Sequence, residues 1–344
     1  MLHESSIYAK LLGDNVQNSV TVSKKITIII PYYQKEKGIL CKALISALNQ
    51  NSLAKLEIIV IDDGSPIPAE NECATFTEQQ KGQIKIIKQQ NKGPAAARNK
   101  GLDSVTVDTD YVAFLDSDDE WTSDHLNNAI TALGVGNDFY FSDFYQLGQT
   151  VTAFNRAKRI NIAEHPLLFA DNPILHQYIG DMQEQIVTGN IIGTPTVVYR
   201  YQHNPHLRFR EDLFRAGEDY LFWLGLSATK NTRIAFSSTA ETICGKGVNI
   251  YSGTEFGTPE YLDLVYYETR YRKTILKEFS LSHTAKRKIE EKLDEQKQKF
   301  LRGILHALRR GRFIDISLFF KYLVLTPEFL LSAPKDFFKI LTNK

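Results

Sequence analysis

Tyr111-Val112-Ala113-Phe114-Leu115-Asp116-Ser117-Asp118-Asp119 sets an uninterrupted apolar run directly before three carboxylates packed into four residues. A run this short, with branched and aromatic side chains, reads as a strand buried on both faces. The acids then emerge together at its carboxyl end, where like charges repel unless a cation sits among them. A hard divalent metal meets that demand, because Mg or Mn at a diphosphate takes one or two carboxylates and leaves its other positions to phosphate and water. The same acids would also serve to cap a helix starting near Thr122 or Ser123.

Upstream, Ile26-Thr27-Ile28-Ile29-Ile30 is a first strand closed by Pro31. Ile39, Leu40, Ala43, Leu44, Ala47 and Leu48 then recur at helical spacing, and Leu56-Glu57-Ile58-Ile59-Val60-Ile61 is a second strand. Ile84-Lys85-Ile86-Ile87, a helix from Pro94 and the strand at 111–115 continue the alternation, which predicts an α/β fold on a mostly parallel sheet. Such a sheet binds ligands at the carboxyl ends of its strands, where the polar clusters of this chain fall. Further on, strands are expected at 139–144, 196–200 and 234–238, and a helix at about 219–228. Residues 261–309 read as helical, with Ile289, Leu293, Phe300, Leu301, Ile304, Leu305 and Leu308 on one stripe.

Composition narrows the function classes. The formal net charge is +1 over 344 residues, which gives no global argument for a nucleic-acid partner. Cys41, Cys73 and Cys244 have no metal or redox spacing, and they read as packing residues of a reduced compartment. The first residues, Met1-Leu2-His3-Glu4-Ser5-Ser6, lack the pattern of a secretory signal, and no apolar run reaches the roughly 18 residues of a membrane span. The expectation is a cytoplasmic protein.

Further constellations sit at the same sheet edge. Pro31-Tyr32-Tyr33-Gln34 and Asp62-Asp63-Gly64-Ser65 end adjacent strands, pairing an aromatic face with a carboxylate as a nucleoside pocket does, although Asp-Asp-Gly-Ser is also an ordinary turn. Gly93-Pro94-Ala95-Ala96-Ala97-Arg98 starts a helix whose amino terminus, with Lys92 and Arg98, suits a diphosphate or simply a tight helix start. Glu218 and Asp219 open an apolar helix, either as good caps or as a general base. Cys244-Gly245-Lys246-Gly247 begins a glycine-rich stretch to Gly253 that reads as a closing loop over a donor or as a plain surface loop.

Together and in this order, the segments at 26–33, 60–65, 93–101, 114–119 and 217–223 resemble the family 2 glycosyltransferases of the GT-A fold, over roughly residues 24–235. The resemblance implies a nucleotide-sugar donor, a divalent cation (Mn or Mg) and direct inverting displacement at the anomeric carbon. It implies base contacts from Pro31 and Tyr33, base recognition by Asp63 with Asp62 beside it, and a diphosphate neighbourhood at Gly93 and Arg98. Asp116 and Asp118, with Ser117 between them, match the acidic motif for ribose and metal; Asp219 matches the base, with Glu218 as the alternative. The family's usual Asn after the aromatic is Gln34 here. No Gln-x-x-Arg-Trp motif of the processive synthases follows the base, which favours transfer of a single hexosyl unit from UDP-sugar to a glycan or lipid-linked saccharide.

The implied organisation is an amino-terminal arm (1–24), a GT-A catalytic domain (25–258, with a nucleotide-binding half at 25–120 and an acceptor half at 121–258) and a helical carboxyl-terminal extension (259–344). Arg302, Arg309, Arg310 and Arg312 ahead of an aromatic tail suit either peripheral contact with an anionic membrane face or packing and homodimer formation. Two other readings compete: a non-catalytic nucleotide-sugar-binding scaffold, and a sugar-phosphate nucleotidyltransferase, which would carry a glycine-rich basic motif where Pro31-Tyr32-Tyr33 stands.

Overall fold

The structure, a computed structural model, describes residues 23–229, 231–246 and 254–331. Residues 1–22, which hold most of the expected arm (1–24), Lys230, 247–253 and 332–344 lie outside the described residues.

One ten-stranded sheet organises the chain. Strands β1 (Lys25–Tyr32), β2 (Lys55–Asp62), β3 (Ile84–Lys88) and β4 (Tyr111–Phe114) are mutually parallel in the order β3-β2-β1-β4. Their Ile- and Val-rich sequences suit burial on both faces, which a parallel sheet requires because its crossovers cover it. Ile28, Ile29 and Ile30 are all fully buried. Helix α1 (Ile39–Leu48) buries Leu40, Ala43, Leu44 and Ala47, the face its spacing predicts. Helix α2 (Pro94–Leu102) starts on Pro94 and buries almost its whole length.

Past β4 the direction alternates. Strand β5 (Glu120–Trp121), helix α3 (His125–Gly134), β6 (Phe139–Tyr145), β7 (Leu167–Phe169), β8 (Asn172–Gln177), helix α4 (Met182–Gly189), β9 (Val198–Arg200), helix α5 (Glu218–Leu226) and β10 (Ile234–Ile243) follow. Strand β9 lies antiparallel between β4 and β6, and β10 runs parallel to β6. The carboxyl ends of β1, β2, β4, β6 and β10 therefore share one edge.

The periodicity does not reveal the β7–β8 hairpin, because β7 is three residues long and Pro173 stands near the start of β8, ahead of the residues that pair with β10. The expected strand at 196–200 shortens to β9, since Thr194–Thr196 forms a 3-10 turn.

The helical region from 261 is broken into α6 (Pro259–Glu278) and α7 (His283–Arg309), with Ser282 capping the second through the Ala285 amide at 3.1 Å. A third helix, α8 (Ile316–Leu325), is capped by Asp315. Leu308 was expected on the buried stripe of α7 but is exposed: Gly303 and Ala307 take the inner positions, and a Cβ on Gly303 would meet Leu262 of α6 at 2.8 Å. Leu262, Val265, Phe300, Leu318, Tyr322 and Phe329 form the core of this region, with Phe300 and Tyr322 stacked at 3.6 Å between ring centroids. No described helix is long and apolar enough to cross a membrane.

Candidate functional site

The loops at the shared sheet edge are tied to one another by buried polar groups. Asp62, the last residue of β2, accepts from the Ser65 amide at 2.8 Å and the Ala69 amide at 3.0 Å, so it shapes its own turn. Asp63 reaches the other way. Its Oδ1 accepts from the Lys92 amide and from Gln89 Nε2, and its Oδ2 accepts from the Gly93 amide at 2.8 Å. A carboxylate offers about four acceptor sites, so one remains at Oδ2. Tyr33 and Pro31 stand half-buried at the end of β1 beside these loops. Gln34 is buried, and its Nε2 donates to Ser117 Oγ at 3.1 Å, so the longer amide spans to the acidic turn.

Arg98 is the centre of the arrangement. It is 5% exposed, one helical turn into α2, and its Nη2 donates to Asp116 Oδ1 at 2.7 Å. Nη1 stands 3.7 Å from Glu218 Oε1, and the guanidinium lies over the Phe209 ring at 5.3 Å. Burial works against the charge, but Asp116 and Glu218 beside it together hold the pKa above its ordinary value. The guanidinium therefore links the acidic motif at the end of β4 to the acids that open α5. The resemblance implies a diphosphate neighbourhood for Arg98; in the structure its guanidinium is engaged by Asp116.

Burial, with Asp219 next, pushes the Glu218 carboxyl up, while Arg98 pulls it down. Burial also raises Asp219, against the Tyr220 amide, which donates to Asp219 Oδ1 at 2.8 Å, and against Arg98. Glu218 turns inward toward Arg98, whereas Asp219 is only half-buried. Gly217 holds the turn before them at φ 93°, and a Cβ there would stand 2.2 Å from the Tyr271 ring.

The acidic turn divides by exposure. Asp119 is 5% exposed and accepts from the Gly245 amide at 2.9 Å. Burial, then Asp116 and Asp118, pushes it well above the usual carboxylate range, against that amide and the Cys244 thiol. Cys244, expected only to pack, thus directs its thiol to Asp119. Asp116 and Asp118 are the more exposed pair. Among the described residues no group of three or more His, Cys, Asp or Glu converges on a metal position. Two carboxylates suffice where a diphosphate and water complete the shell, and the like-charge crowding felt by Asp119 is what a hard dication relieves. The donor set fits Mg or Mn.

Several positioning groups carried no sequence signal as ligands. Asn99 donates to the Phe209 carbonyl and Glu211 Oε1, both at 2.9 Å, and accepts from the Phe209 amide at 2.8 Å, which staples α2 to the segment leading into α5. Trp121 Nε1 donates to the Pro195 carbonyl. Gly245 is the tightest contact: a Cβ would sit 1.8 Å from the Asp118 carbonyl oxygen. Gly245→Ala is expected to push the loop off the acidic turn and lower kcat/KM at least about tenfold with little change in melting temperature, measured by steady-state assay beside thermal unfolding. The rest of the glycine-rich stretch, 247–253, lies outside the described residues.

Comparison with known proteins agrees with this geometry. The family model described as glycosyl transferase family 2 matches residues 27–220. The succinoglycan biosynthesis protein ExoW of Rhizobium meliloti is 33% identical over 248 residues, 69% of this chain and 74% of that protein. The minor teichoic acid biosynthesis protein GgaA of Bacillus subtilis is 40% identical over 104 residues, 30% of this chain and 23% of that protein. Among solved structures, S. aureus TarS 1-349 in complex with UDP-GlcNAc superposes with a TM-score of 0.56 at 19% identity, covering 89% of this chain and 80% of that one. The mannosyltransferase PcManGT from Pyrobaculum calidifontis, in complex with GDP-Man and Mn2+, does so with a TM-score of 0.54 at 13% identity, covering 91% and 81%. With the sheet order, the acidic turn and the family match in agreement, this chain is a GT-A-fold glycosyltransferase and belongs to glycosyl transferase family 2.

Proposed function

We propose that the chain moves one sugar from a nucleotide-diphosphate sugar, with UDP the first carrier to test, to a hydroxyl of a glycan or lipid-linked saccharide, inverting the anomeric carbon, in the synthesis of a polysaccharide or cell-surface glycan. The biosynthetic roles for which ExoW and GgaA are named support the pathway class, and the TarS and PcManGT complexes support a nucleotide-sugar donor. The observation that carries the reading is the buried Arg98 guanidinium, which bonds Asp116 and lies beside Glu218, so the acidic turn and the start of α5 meet at one cation.

In this reading Tyr33 and Pro31 line the base pocket, and Asp63 uses its remaining acceptor site on the base. Asp116 and Asp118 would hold a divalent cation, which when bound would supply positive charge for the departing diphosphate. Gly93 and the α2 amino terminus face that phosphate edge. Arg98 holds Asp116 in place and offsets the acids around it. Asp219, from the opposite side, takes the proton of the acceptor hydroxyl; the oxygen attacks the anomeric carbon, the bond to the diphosphate oxygen breaks, and one displacement inverts the centre.

The base must be ionised to act, and its folded pKa is raised, so activity falls as pH drops through that raised value. The acid limb of kcat/KM is expected above the ordinary carboxylate range of about 4. A limb at or below about 4 places the base elsewhere.

A thermal-shift panel of UDP-, GDP- and dTDP-sugars with Mn or Mg, followed by transfer to oligosaccharide acceptors with anomeric configuration read by NMR, tests the assignment. Donor binding without hydrolysis or transfer would support the scaffold reading instead.

A further inference from the structure

Helix α8 has two faces. Leu318 and Tyr322 point inward against Phe300 and Leu262, while Ile316, Phe320 and Val324, spaced four apart, point outward with 65%, 60% and 85% of their surface exposed. Phe313, just before the helix, is 75% exposed, and Leu308 and Leu331, earlier and later in the chain, are exposed as well. Scattered exposed apolar residues are ordinary, but a run at helical spacing on one surface helix marks an interaction face.

Along the chain from 302 to 324 basic side chains outnumber acids, and Asp263 of α6 lies near Lys321. Arg309 and Arg310, in the last turn of α7 and just past it, are exposed, as are Arg302 and Lys321. Arg312 anchors to the Phe256 carbonyl at 3.3 Å. Over residues 302–324 the acid is Asp315, which is engaged as the α8 cap through the Leu318 amide at 3.1 Å.

We propose that this face, Phe313, Ile316, Phe320 and Val324 with Arg302, Arg309, Arg310 and Lys321, docks on an anionic lipid surface. Outward apolar side chains enter the boundary between headgroups and acyl chains, and the flanking guanidinium and ammonium groups meet lipid phosphates. Charge decides against a second copy of this chain as occupant. A twofold interface sets the same predominantly basic patch against itself and brings like charges together, whereas an anionic bilayer neutralises them. The surface belongs to the helical extension, apart from the acidic turn, so this inference stands or falls separately from the donor assignment.

Flotation of the full chain with vesicles of zwitterionic lipid, alone or with about one third phosphatidylglycerol, tests it. Binding is expected with the anionic vesicles, weakening as salt rises. Phe320→Ser with Val324→Ser, and separately Arg309→Glu with Arg310→Glu, are each expected to lower the partition coefficient at least about tenfold. All four side chains are exposed, so melting temperature and transfer to a soluble acceptor are expected to stay at the parent level. Absence of binding to the anionic vesicles, equal binding by the variants, or light scattering showing a dimer that the same substitutions dissociate would each overturn the proposal.

Discussion

Asp219→Asn is expected to lower kcat about a thousandfold while leaving the thermal shift given by nucleotide and metal intact. The asparagine Oδ1 still accepts from the Tyr220 amide, so the α5 amino terminus keeps its shape. What disappears is an acceptor for the hydroxyl proton, and the acid limb of the pH profile should disappear with it. Glu218→Gln serves as the contrast. Its carboxylate stands 3.7 Å from the Arg98 guanidinium, so its loss should loosen Arg98 and cost less in kcat than the loss of the base. Reversal of that order, measured in single-turnover assays, would transfer the base role to Glu218.

Arg98→Ala is expected to destabilise the protein by about 3–5 kcal/mol in denaturant titration, because removing one partner leaves the buried Glu218 and the half-buried Asp116 and Asp219 without their counter-charge. At 5% exposure the guanidinium is screened little by solvent, and Asp116, Glu218 and Asp219 all act on it. Arg98→Lys restores the charge but not the fork that bonds Asp116 while lying beside Glu218, so recovery should be partial. Coupling provides the sharper measurement. Asp116→Asn combined with Arg98→Ala should cost less than the sum of the two changes, and additivity would show that the pair does not act as a unit.

Those predictions show where the sequence was legible. Periodicity and composition marked β1, β2, β4, α1 and the start of α2 because buried parallel strands are unbroken apolar runs and an amphipathic helix repeats its face. The acids at 62–63, 116–119 and 218–219 stood out because carboxylates next to such runs have few structural reasons to be there. The partners of those acids were less visible. Nothing in the order of residues says that Asp63 would hold the Lys92 and Gly93 amides, or that Gln34 would span to Ser117, since both links join positions far apart in the chain. Asn99 looked like another polar residue on a helix until its three bonds to the 209–211 segment placed it. The β7–β8 hairpin escaped for a different reason: its strands are short, and Pro173 near the start of β8 reads as a turn although it precedes the residues paired with β10.

The unbroken sheet also bears on protein engineering. Strand β4 pairs with β9, and β5 pairs with β10 through Trp121 and Thr242. A chimera joined at residue 120, intended to graft one relative's donor recognition onto another's acceptor preference, would put β4 and β9 in different parents, cut into β5 and divide the interior between two sequences. Junctions near 258, where α6 begins on Pro259, leave all ten strands with one parent and exchange only the helical region that follows.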